Sequence, residues 1–153
     1  MGQTGARLTA HSPAQPPGSR LPKITLEIIV SGDIKRQISP AEASQFLIQR
    51  PTLAEHACRQ NGVGRFGQKI TGCRLPHLLE HLSIDLLVER CACQIAGNTS
   101  YRNVGQGAGG NQGHKSAHIL LRALGASYDE MVKAVLDARL LVLQILASSA
   151  FNR

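Results

Sequence analysis

The pattern of apolar and polar positions first becomes regular at Lys23. Residues 23–30 (KITLEIIV) are rich in β-branched side chains and alternate in part, which predicts a strand. Ser31-Gly32-Asp33 supplies a turn, and residues 34–38 are expected to pair back as a hairpin. Ser39-Pro40-Ala41-Glu42 is a capping box with proline at the first helical position. It predicts a helix to about Arg50, stopped by Pro51. Thr52-Leu53-Ala54-Glu55 repeats the box and opens a shorter helix through His56. Residues 61–67 read as a glycine-punctuated loop. A long helix is expected from Leu75 or Pro76 to about Cys91, then a glycine-rich loop over residues 98–113 and a strand over residues 117–121. Ser127-Tyr128-Asp129-Glu130 is a third capping box. The helix behind it, to about Ser148, is apolar nearly all round and is expected to be buried.

This order predicts one α+β domain over residues 23–150, with helices packed on one face of a small sheet. Its expected hallmarks are a buried helix carrying H-x-x-E-H and a long C-terminal helix. Residues 1–22 hold four prolines, three glycines and no acidic residue, which predicts a disordered basic leader.

Composition narrows the function classes. The chain of 153 residues has a formal charge of +7, 42% apolar residues and only 3% aromatic residues. The charge favours acidic partners. Nucleic acid is not expected as a partner, because rings for stacking are few and zinc-finger spacing and lysine runs are missing. No apolar stretch reaches membrane-spanning length before a charge interrupts it. Cys58, Cys73, Cys91 and Cys93 form no C-x-x-C pair, and reduced thiols in a cytoplasm are the expectation.

The chemistry concentrates in Pro76-His77-Leu78-Leu79-Glu80-His81. On a helix His77 and His81 stand one turn apart on the same side, a spacing that lets two imidazoles reach one zinc ion. Glu80 flanks that face, where a carboxylate can take a proton from water whose acidity zinc has raised. The pattern is the inverted zincin arrangement. Leu75, Leu78, Leu79, Leu82 and Leu86 gather on the opposite face. Asp85, a further turn along, is expected either as the third ligand or as the partner that orients His81. The competing reading is a pair of partly buried histidines hydrogen-bonded to Glu80, Asp85 or backbone. His56 reads as a structural histidine. His114 and His118 are also four apart, but they straddle a loop-to-strand boundary. Gly105–Gly113 (GQGAGGNQG) lacks the residues of a phosphate-binding loop and reads as a flexible loop, with a flap over the cleft as one role for it.

Several of these elements occur together in one known order. Leu53-Ala54-Glu55-His56-x-Cys58, a glycine segment to Gly67, Leu75-Pro76-His77-x-x-Glu80-His81-x-x-x-Asp85-Leu86, and Ala96-Gly97 resemble the N-terminal domain of cyanophycin synthetase. The resemblance spans roughly residues 23–147 and is strongest over residues 52–97. It implies binding of a poly-aspartate backbone bearing arginines, and in some members a zinc metallopeptidase that trims the polymer. Asp85 stands where that family usually has Glu, and Arg122 where it often has an acid. The ATP-dependent ligase domains are expected to be absent, so a separate ligase protein is a candidate partner.

Two expectations follow. One is a zinc-dependent hydrolase of peptide or isopeptide bonds, with Glu80 as base and His77, His81 and Asp85 as metal ligands. The other is a non-catalytic module that binds cyanophycin-like polymer or docks on a ligase and keeps a relic metal site.

Overall fold

The computed structural model describes residues 5–11, 23–59, 62–104 and 114–151. Four antiparallel strands form the main sheet in the order β1-β2-β6-β5: β1 (Gly5–His11), β2 (Lys23–Ser31), β5 (Gln94–Val104) and β6 (His114–Leu124). Along β2, Leu26, Ile28 and Val30 are buried at every second position, and along β6 so are Ala117, Ile119, Leu121 and Ala123. That period of two puts one apolar face on each strand. Helices α2 (Leu75–Arg90) and α3 (Tyr128–Phe151) pack against the sheet and against each other. Helix α1 (Pro40–Gln49) lies beside α3. The result is the expected α+β domain.

Four expectations are corrected. Residues 34–38 form no hairpin: both edges of β2 are already taken, by β1 and by β6. The segment instead turns at Gly32, with φ 100°, and buries Ile34 and Ile38 while Gln37 bridges to Arg74. A strand, β1, lies within the expected leader. Its backbone pairs with β2 from Gly5↔Ser31 to His11↔Thr25 and satisfies an otherwise open sheet edge, a gain that does not depend on side-chain composition. The rest of residues 1–22 lies outside the described residues. Residues 98–104 belong to β5 and not to a loop, whereas the rest of the expected loop, residues 105–113, lies outside the described residues. Finally, α3 is not buried all round. Leu136, Leu140 and Leu143 remain half exposed on its outer face. Among the described residues no helix is long and apolar enough to cross a membrane.

Two of the three expected capping boxes hold; the one at Thr52 does not, because residues Pro51–Glu55 form a 3₁₀ turn behind Arg50 and the Thr52 hydroxyl donates to Asp85. Ser39 Oγ accepts from the Glu42 amide at 3.2 Å, and Glu42 Oε1 accepts from the Ser39 amide at 3.0 Å. Ser127 and Glu130 repeat this at α3. Glu42 is only 1% exposed and also receives the Arg36 guanidinium at 2.7 Å. Burial pushes its carboxyl pKa up, but Arg36 and the Ser39 donors outweigh that and hold it below 4.5. The folded-state value is therefore depressed. Its stabilising effect is complete above the unfolded pKa and is lost as pH falls through the depressed one. Glu42→Ala is expected to cost about 2–3 kcal/mol at neutral pH, the scale of a lost cap plus a charged hydrogen bond. In urea titrations, the gap between variant and wild type should close in acid, below about pH 4.5.

Candidate metal centre

Three local structures converge on the outer face of α2. The first is α2 itself, which starts where Pro76 fits the first turn without needing an N–H. Its His77 and His81 rings lie one turn apart with centroids 4.9 Å from each other, as the spacing predicts. The second is a short 3₁₀ turn (Pro51–Glu55) running into the two-residue strand β3 (Ala57–Cys58), which pairs with β4 (Gly64–Arg65). It carries His56 and Cys58. The third is β5, which brings up Thr99.

The outer face of α2 is not a polar stripe over water. All three motif residues are buried, His77 and Glu80 at 6% exposure and His81 at 4%. The Phe66 ring stacks on His81 at 4.0 Å between centroids and meets His77 edge-on at 5.2 Å. A cleft of about 800 Å³ opens over the cluster, lined in part by Cys58, His77, Glu80, His81 and Gly97.

Cys58, His77 and His81 each offer one ligand atom, and these atoms all lie within 4.8 Å of one another. Cys58 Sγ is 3.4 Å from His77 Nε2. This buried group can hold a metal ion. One thiol and two imidazoles are a donor set that suits zinc. Burial drives the His81 pKa down to about 3, reinforced by the unfavourable cost of a second positive charge beside His77, His56 and Lys69. Burial and the nearby Lys69 also lower that of His77. Both imidazoles are thus kept in the neutral form that metal binding requires.

Asp85 is not among these donors, which corrects its expected place as a ligand. Its carboxylate is committed elsewhere: Oδ2 accepts from Arg50 at 2.8 Å, and Oδ1 accepts from Thr52 Oγ1 at 2.6 Å and contacts His56 Nε2 at 2.9 Å. Its orienting role reaches His81 indirectly, because His56 Nδ1 lies 3.1 Å from His81 Nδ1. Two nitrogens that close need one donor and one acceptor. If neutral His56 gives its Nε2–H to Asp85, its Nδ1 accepts and His81 Nδ1–H donates. In that arrangement His81 takes the tautomer with a bare Nε2, the atom left for a metal.

Glu80 sits beside the donor set, with Oε2 3.8 Å from His81 Nε2. Thr99 Oγ1 donates to the other oxygen, Oε1, at 2.5 Å. Burial raises the Glu80 pKa above 4.5 against the opposing Thr99 bond. The close approach of β5 depends on Gly97. A Cβ there would lie 2.9 Å from both Glu80 Cγ and Ile84 Cδ1.

Residue reading alone missed Cys58, Thr99 and the role of His56. The usable signal was His56-x-Cys58, because residues two apart on an extended segment share a face. Cys73, by contrast, is a core thiol whose pKa burial pushes up to about 12. His118, on β6, lies outside the cluster and contacts Glu27 on β2 and Ser116 on its own strand. Compared with protein-family models, with curated proteins and with solved structures, the chain gives no match, so the site is argued on its own geometry.

Proposed function

We propose that the protein is a zinc-dependent hydrolase of peptide or isopeptide bonds. The observation that carries this reading is the buried Cys58/His77/His81 donor set with Glu80 beside it at the mouth of a cleft. Purely structural zinc sites are closed by four protein ligands, whereas hydrolytic ones use three and keep a position open. Three donors among the described residues favour catalysis over a structural role.

When bound, zinc would act as a Lewis acid that polarises a carbonyl and acidifies water. The protein's own residues supply the rest. Thr99 pins Oε1 of Glu80 and leaves Oε2 to accept a proton from the attacking water. The same carboxyl can pass that proton to the departing amine. Asp85 and His56 orient His81, and Phe66 shields the rings from solvent on one side. The resemblance of the motif order to the N-terminal domain of cyanophycin synthetase makes a cyanophycin-like polymer the first substrate to try. It also keeps a ligase-docking role as the alternative if no cleavage occurs.

Metal content is the direct test. Protein prepared without chelator is expected to carry about one zinc per chain, and Cys58→Ala and His77→Ala are each expected to lose most of it. Elemental analysis that finds no metal, even after zinc is added back, would remove this reading.

A further inference from the structure

A second cleft, of about 550 Å³, opens on the far side of His77, which lines both clefts. Its other lining residues include Gln37, Lys69, Arg74 and Tyr101, and no carboxylate is among them. The Tyr101 hydroxyl is buried, with no hydrogen-bond partner among the described residues. An unsatisfied buried hydroxyl is costly, so such a group points to a partner outside the fold. The Arg74 guanidinium lies over the Tyr101 ring, 5.1 Å from its centroid, and makes no ion pair among the described residues. Lys69 Nζ donates to the carbonyls of Cys58 and Gly62, which fixes a positive charge next to the donor set.

We propose that this cleft is a carboxylate-binding subsite. It receives a free carboxylate of the substrate while the bond to be cut lies over Cys58, His77 and His81. The assignment of that carboxylate to a peptide or isopeptide substrate rests on the hydrolase reading; the affinity for the group itself does not. The guanidinium supplies paired N–H donors that match the two oxygens of a carboxylate. Tyr101 adds an O–H, and Lys69 adds attraction at longer range. The substrates favoured are peptides, or polymers with isopeptide branches, that carry a free carboxylate close to the scissile bond.

The test is calorimetric titration of the whole protein with an N-acetylated dipeptide bearing a free α-carboxylate and with its carboxamide. Wild type and the non-hydrolysing Glu80→Gln variant are used side by side. The carboxylate form is expected to bind about tenfold or more tightly than the amide, the scale of one charge-assisted hydrogen bond. Arg74→Gln should abolish most of that preference and Tyr101→Phe part of it. Arg74→Lys should restore some, with zinc content and circular dichroism unchanged throughout. Equal binding of the two peptides, binding of neither, or a preference that survives Arg74→Gln would overturn the subsite. A carboxylate preference in a protein that cleaves nothing would leave the subsite standing and remove the hydrolase reading.

Discussion

Glu80→Gln is expected to cut hydrolysis at least about 10²-fold while zinc stays bound at about one per chain. The substitution is nearly isosteric. The glutamine carbonyl can still accept from Thr99, so the side chain keeps its place against Gly97. What disappears is the only function an amide cannot serve, the acceptance of a proton. Stability should move the other way. Glu80 is a buried carboxyl with a raised pKa, so its ionised form opposes folding above the unfolded pKa. In metal-free protein the variant should be at least as stable as wild type in urea. His81→Ala makes the contrast, since it should lose metal and activity together. Zinc lost from Glu80→Gln would make Glu80 a ligand and not a base. Unchanged cleavage would remove it from the chemistry altogether.

The elements that local chemistry dictates were legible. Capping boxes at Ser39 and Ser127 placed two helix starts, Pro76 placed a third, and the i,i+4 spacing placed His77 against His81. The strand β5 was not legible, for a reason tied to the site. Its positions 97, 99 and 101 are Gly, Thr and Tyr, where a strand facing a core would carry large aliphatics. Gly97 is small because Glu80 and Ile84 occupy the space a Cβ would need, and Thr99 is polar because it holds Glu80. A strand shaped around a buried polar site loses the alternation by which strands are recognised. Cys58 was hidden differently. Its partners lie 19 and 23 residues away on α2, and only the turn that folds back through the Cys58↔Gly64 pairing brings them together. The third ligand was therefore expected either at Asp85 or from a residue outside the helix that the spacing could not name. Periodicity correctly opposed the leucine face of α2 to its histidine face, yet it could not show that both are buried, because β3 and β5 cover the second face.

Asp85→Ala is expected to be among the most destabilising single changes in the chain, at about 3–5 kcal/mol, the usual cost of removing one partner from a buried ion pair. Asp85 is only 4% exposed and ties three separate segments to α2: Arg50 at the end of α1, Thr52 in the 3₁₀ turn, and His56 ahead of β3. Among the described residues its loss leaves the Arg50 guanidinium only Glu89, which is largely exposed and offers a solvent-screened contact. Thr52 and His56 would lose their acceptor together. Burial raises the pKa of Asp85, but His56, Thr52 and Arg50 more than reverse this and hold it below 3.8. The charge that the network needs is thus present at neutral pH. The consequence for the site runs through His56, which without Asp85 no longer fixes the tautomer of His81. Zinc affinity should fall about 10–100-fold, the scale seen when a partner of a metal ligand is removed. Asp85→Asn separates the two effects. It keeps an oxygen for Thr52 or Arg50 and fills the same volume, so it should recover part of the stability. Having lost the carboxylate that fixes His56, it should recover little of the zinc affinity. Urea denaturation and competitive zinc titration on the three proteins measure both. A stability change below about 1 kcal/mol for Asp85→Ala, within the range of an exposed pair, would show that Arg50, Thr52 and His56 are held by other contacts.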